Sequence, residues 1–137
     1  MRRVALVGAL LIGIVIAVAA ASAADTVEPS GFAFGRLGGN IRPYRITIAN
    51  TGVVRDFGAV TVHRKRLAPA QLVNLNRVAT ATSFEMLPKS TSCRNTLPDV
   101  ASTYIRVGAL TVRVHGNCVP RYARMWKALA VAVRSSQ

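Results

Sequence analysis

The chain has 137 residues, with 18 Lys or Arg against 5 Asp or Glu, a formal net charge of +13 and a pI near 11.6. Hydrophobic residues nevertheless make up 51% and mean hydropathy is +0.33. This length holds one domain rather than two, the apolar content excludes an intrinsically disordered chain, and the lack of a second apolar run near the roughly 20 residues that span a bilayer excludes a polytopic membrane protein.

Charge and hydropathy separate along the sequence. Arg2 and Arg3 precede an uncharged stretch, residues 4–24, that ends in small residues, Ala21-Ser22-Ala23-Ala24, before Asp25. A basic start, an apolar middle and an Ala-x-Ala stop describe an export signal. Residues 1–24 are read as a signal peptide cut after Ala23 or Ala24, and residues 25–137 as a single secreted or cell-envelope domain. The alternative is an uncleaved anchor, the only route by which the chain would meet a membrane core. Loss of Arg2 and Arg3 leaves 16 cations against 5 carboxylates, a charge of +11.

Strand signals lead the exported part. Residues 30–37 are apolar with glycine, Gly38-Gly39-Asn40 marks a turn, and Tyr44-Arg45-Ile46-Thr47-Ile48-Ala49 alternates as a half-buried strand does. Residues 53–64 read as a third strand, with Ala59-Val60-Thr61-Val62-His63 alternating again. The period then changes: Pro69 suits a first helical position, and Leu72, Leu75, Val78 and Ala79 form one stripe before Thr80-Ala81-Thr82-Ser83 ends the helix. Residues 88–98 read as a loop.

Residues 99–107 and 110–115 then form a hairpin around Gly108-Ala109, with glycine at the first central position of a type II′ turn. That turn sets Val107 opposite Leu110, Ile105 opposite Val112, Thr103 opposite Val114 and Tyr104 opposite Arg113. Pro120 opens a second helix with Tyr122, Met125, Trp126, Leu129 and Val133 on one side. The expected fold is α+β, order β-β-β-α-β-β-α: a four- to five-stranded antiparallel sheet with two helices on one face. Ile46, Ile48, Val60, Val62, Ile105, Val112 and Val114 would face the helices.

Cys93 and Cys118 are the only cysteines, and an oxidising destination favours their pairing. Closing that loop removes about 3 kcal/mol of unfolded-chain entropy in the simple model. His63 and His115 lack the close paired spacing of zinc ligands, so neither a metal nor a cofactor is expected.

Strand parity puts Arg45, His63, Tyr104, Arg106, Arg113 and His115 on the sheet face away from the helices. Arginine beside tyrosine suits anionic groups, through bidentate contacts and stacking. Arg64-Lys65-Arg66 adds a local charge run, whose plainer reading is a polar exit from a strand. Nucleic-acid motifs are lacking and export removes the genome as a partner, so anionic envelope polymers, lipid head groups or acidic protein surfaces are the expected ligands. No catalytic motif occurs, and the five carboxylates form no close pair. A hydrolase built on His63 or His115 is the least favoured reading.

The order Ser30-Gly31-Phe32-Ala33, a helix, Ser83-Phe84-Glu85-Met86-Leu87-Pro88, Leu97-Pro98-Asp99, a hairpin and a Pro120-led helix resembles small secreted bacterial proteins. More remotely it is similar to the emfourin family of thermolysin-type metalloprotease inhibitors, across residues 30–134. It departs where the family's Gly-Gly becomes Ser30-Gly31, and in its signal segment and two cysteines. The resemblance implies a non-enzymatic binding module that inhibits a secreted protease through loop ends around Ser30, Gly31, Phe32 and Phe34 and through residues 88–98. The alternative is a basic envelope-associated protein that holds anionic polymers or lipid head groups on its sheet face.

Overall fold

Alternating apolar and polar residues build the strands, and their two-residue period decides which side chains meet. The computed structural model describes residues 31–134, so the expected signal segment and Ser30 lie outside it. Its elements are β1 (Phe32–Leu37), β2 (Tyr44–Ile48), β3 (Val54–Gly58), α1 (Pro69–Ala81), β4 (Ser90–Ser92), β5 (Ser102–Val107), β6 (Leu110–His115) and α2 (Pro120–Val133), with a 3-10 turn over Phe84–Met86. The strands form one sheet in the order β3-β2-β1-β5-β6-β4. Its pairs are antiparallel except β4, which runs parallel to β6. The fold is therefore α+β, with a mixed six-stranded sheet in place of four or five antiparallel strands.

The central strand carries the core. Phe32 and Phe34 of β1 face Ile48 and Ile46 on one side and Val107 and Ile105 on the other. Phe34, Ile46, Ile48, Ile105, Met125 and Leu129 are fully buried, as are Val112 and Val114 within 2%. Each such side chain contributes about 1.5–3 kcal/mol through burial. Leu75 and Ala79 of α1 and Tyr122, Met125, Leu129 and Val133 of α2 supply the covering layer, as the two stripes predicted.

Local chemistry sets the helix ends. Pro69 and Pro120 open the helices, where a missing N–H loses nothing. The Gln71 side-chain oxygen accepts a hydrogen bond from the Ala68 N–H at 2.9 Å. At the other end of α1, the buried Thr82 hydroxyl donates to the Val78 carbonyl at 2.8 Å.

The β5–β6 hairpin has the expected register, including Ile105 opposite Val112 and Tyr104 opposite Arg113. Gly108 has φ +56° while Ala109 keeps a negative φ, as a type II′ turn requires. The third strand differs from expectation: it ends at Gly58 and does not run through residues 59–64. Val62 still reaches the core, and Val60 packs against it, but from irregular chain. The charge run there serves the fold. The Arg64 guanidinium donates to the Ala132 carbonyl at 3.1 Å near the end of α2, where the helix dipole favours a cation. Lys65 pairs with Asp56 at 2.8 Å and holds that carboxyl below its ordinary range.

The segment read as a loop over residues 88–98 contributes the short edge strand β4. Its placement follows from the Cys93–Cys118 disulfide, which spans a sequence separation of 25. The Cys93 N–H donates to the His115 carbonyl at 2.8 Å, extending the β4–β6 pairing to the cross-link. A Cβ on Gly116 would lie 2.7 Å from the Cys93 Cβ, so glycine is what lets the strand end approach the bridge. Replacing both cysteines by serine is expected to lower unfolding free energy by about 3 kcal/mol, measured by urea unfolding of oxidised and substituted protein. A loss below about 0.5 kcal/mol would show that the bridge is mechanically idle.

Candidate functional site

Opposite the helices, the sheet presents a row of side chains fixed by strand pairing. On β3, β2, β1, β5 and β6 it reads Phe57, Arg45, Gly35, Tyr104, Arg113. The next row, through Ala33, carries Arg55, Thr47, Arg106 and Thr111. Four arginines and two aromatic rings therefore share one face. The three carboxylates among the described residues lie elsewhere: Asp56 opposite Ile46 on the helix side, Glu85 in the 3-10 turn and Asp99 ahead of β5.

Gly35 organises this face. A Cβ there would sit 2.1 Å from the Tyr44 carbonyl and 3.1 Å from the Tyr104 Cε1, so the Tyr104 ring lies over the bare glycine. An aromatic ring covering a glycine in a neighbouring strand restores packing that the glycine removes. On the other side of the gap, the Arg45 guanidinium lies 4.6 Å from the centroid of the Phe57 ring. That cation–π contact orients an exposed arginine without using its hydrogen-bond donors. Between Arg45, Phe57 and Tyr104 a depression of about 430 Å³ opens at the Leu37 end of β1. Burial raises the Tyr104 phenol above its ordinary value, and the nearby Arg45 and Arg106 charges act in the opposite direction.

Five of the six predicted face residues thus come together: Arg45, Tyr104, Arg106, Arg113 and His115. His63 does not, because β3 stops short of it; it lies exposed in irregular chain. Neighbouring Arg64 meets the C-terminal end of α2, whereas His115 precedes its N-terminal end. A 14-residue helix separates the two histidines, about 20 Å at helical rise, so they form no joint site. Sequence reasoning does not find Arg55 and Phe57, because Val54-Arg55-Asp56-Phe57 does not alternate in polarity: Asp56 takes the helix side and Phe57 the open face.

The loop ends assigned to inhibitor contacts fall differently. Phe32 and Phe34 are core residues of β1, 2% and 0% exposed, and Gly31 is half-buried. Their apolar side chains pack inward because β1 is central, so Phe32 and Phe34 cannot contact a partner without unfolding. Ser30 lies outside the described residues.

No family model matches the chain, and neither a curated protein nor a solved structure does. The disulfide is compatible with an extracytoplasmic location, and among the described residues no helix is long and apolar enough to cross a membrane.

All 3 tyrosines of the chain are held above the ordinary phenol value of 10.0 by burial, Tyr122 most strongly. A raised folded value means that this contribution to stability is complete below pH 10.0 and is lost as pH rises through the raised values. Ultraviolet titration is expected to show the tyrosines of the folded protein less than half ionised at pH 10.0, with Tyr122 the last to ionise. An ordinary transition from any of the three in folded protein would contradict the burial described.

Proposed function

We propose that this chain is a non-enzymatic binding module that acts beyond the cytoplasm and takes an anionic polymer on its open sheet face. The observation that supports the reading is the Phe57–Arg45–Gly35–Tyr104–Arg113 row, backed by Arg55 and Arg106 and free of carboxylates at its strand positions. Arg45 and Arg113 stand three strand spacings apart in the sheet, about 14 Å. An extended polyanion can meet both at once, whereas a compact anion meets one.

Magnitudes favour a weak, multivalent hold. A single exposed arginine–anion pair contributes about 0.2–1 kcal/mol, so one contact retains nothing useful. Several on one face act together because, after the first contact, the others engage at high local concentration. Tyr104 and Phe57 add flat apolar surface for the carbon skeleton of the polymer. The same physics makes binding sensitive to salt, since screening acts over about 10 Å at 0.1 M. An inhibitory role is supported only by the remote resemblance to the emfourin family, and two residues it would use are buried.

Co-sedimentation with immobilised polyphosphate or polyglutamate, against neutral dextran, tests the reading. Retention is expected at ~50 mM salt and to fall at least tenfold by ~200 mM. Arg45→Glu combined with Arg113→Glu is expected to abolish it while leaving the circular dichroism spectrum unchanged. Undiminished retention of the folded double variant, or equal retention on dextran, would overturn the proposal. Preferential retention on anionic vesicles would redirect it to a lipid surface.

A further inference from the structure

One arginine breaks the division between the two faces. Arg36 of β1 shares the parity of Phe32 and Phe34 and therefore points to the helix side, where Tyr44 and Thr103 are its neighbours across the sheet. Its guanidinium lies 6.0 Å from the centroid of the Trp126 ring on α2. Among the described residues no carboxylate lies within ion-pair distance of it, and its buried Nε has no hydrogen-bond partner. The hydroxyl of adjacent Tyr44, a residue 9% exposed, is also buried and unpartnered. A cation in this position would ordinarily be matched by an acid, and unsatisfied buried donors are rare enough to need an explanation.

Beside Arg36 lies a concavity of about 500 Å³, between the start of α2, the turn after β1 and the segment before β5. That size accommodates a small organic molecule. One wall is aromatic: the Trp126 and Tyr122 rings stack at 6.4 Å with 25° between their planes, and Phe34 meets Trp126 edge-on at 5.2 Å. The opposite rim is aliphatic, with Ile41 and Val100 exposed at 39% and 44%. The polar groups at its floor are already ordered. The Tyr122 hydroxyl donates to the Thr103 hydroxyl at 3.0 Å, which donates to the Val114 carbonyl at 3.2 Å. The Asn40 side-chain amide donates to Asp99 at 3.2 Å, fixing the turn against the opposite wall. Arg36 keeps a buried Nε with no hydrogen-bond partner and is the one cation in the lining.

We infer that this pocket binds a small aromatic carboxylate, its ring against Trp126 and its carboxylate on Arg36. The aromatic wall selects a flat apolar body, and the guanidinium fork matches a carboxylate. Arg36 is the only cation of the lining and Asp99 the only acid, so the guanidinium fork can hold one carboxylate, whereas Asp99 repels a doubly charged phosphate more strongly. This site is on the opposite side of the sheet from the arginine row and does not depend on it.

Trp126 is the only tryptophan of the chain, so its fluorescence reports directly on the pocket. Titration of the purified protein with phenylacetate is expected to give a saturable change with an affinity of about 1 mM or tighter, which suits so small a ligand. Phenylacetamide, which keeps the ring and shape but loses the charge, is expected to bind at least tenfold more weakly, and phenyl phosphate no more tightly than phenylacetate. Arg36→Gln is expected to lose at least tenfold and Arg36→Lys less, whereas Arg77→Gln, an equal charge change on the exposed side of α1, leaves the affinity unaltered. If Arg36→Gln does not fold, the acid–amide comparison on the unaltered protein decides. No saturable change, equal affinity for acid and amide, tighter binding of phenyl phosphate, or full affinity in folded Arg36→Gln would each overturn the assignment.

Discussion

Two helices cover only one side of this sheet, and that constraint governs the rest of the molecule. A strand sends successive side chains to opposite faces, so each apolar residue beneath the helices commits its neighbours to the bare side. Phe34 and Ile46 are fully buried, and the positions next to them, Gly35 and Arg45, become a surface. The arginine row is thus tied to the core through the backbone. A one-residue slip of β1 against β2 would expose phenylalanines and bury guanidinium groups, so core packing fixes the charged face as firmly as it fixes the fold.

The basic residues divide into two populations. Arg64 and Lys65 are engaged with the end of α2 and with Asp56, where each offsets a partial or full negative charge. Arg45, Arg55 and Arg113 stand exposed in the sheet with no carboxylate at the positions between them. Repulsion among exposed guanidinium groups is weak in water, on the order of 1 kcal/mol or less at these separations, and a core of this size tolerates it. Phe57 and Tyr104 then spread the charges apart by occupying the cells beside them. Net charge alone would not distinguish these populations, but their positions on the strands do.

How much of this was legible in the sequence follows from which forces are local. The register of the β5–β6 hairpin was readable because Gly108 fixes the turn and the turn fixes the register, although β5 starts at Ser102 rather than at Asp99. Both helices were readable from a proline start and a three-to-four-residue apolar stripe. The third strand was not, because Val60 and Val62 alternate like a strand but reach the core from irregular chain after β3 has stopped at Gly58. That error moved His63 onto the face, and the broken polarity pattern of Val54-Arg55-Asp56-Phe57 left out Arg55 and Phe57. Strand β4, only Ser90–Ser92, has no sequence signature; its parallel pairing is imposed by the cross-link beside it. The pocket was invisible for a different reason, since Arg36 and Trp126 come from distant segments and meet only when α2 lies across β1.

Arg36 shows where local rules and the fold part company. Parity places it under the helices, partly buried, where the well-buried strand residues on β1, β2, β5 and β6 are apolar or aromatic. A leucine there would fill the space beside Trp126 and leave no unpaired donor. A cation–π contact at 6.0 Å contributes only about 0.5–1 kcal/mol in a half-open setting, less than the roughly 1–3 kcal/mol lost when a buried donor goes unsatisfied. Stability therefore gives no reason for an arginine at this position. The rest of the cavity points the same way: its hydroxyls are paired to each other and to backbone, its walls are largely apolar, and the buried Nε of the guanidinium lacks a partner. Residues that break the pattern of a fold without a compensating gain concentrate where a protein meets something else, and here the missing element is an anion at the Trp126 end of β1.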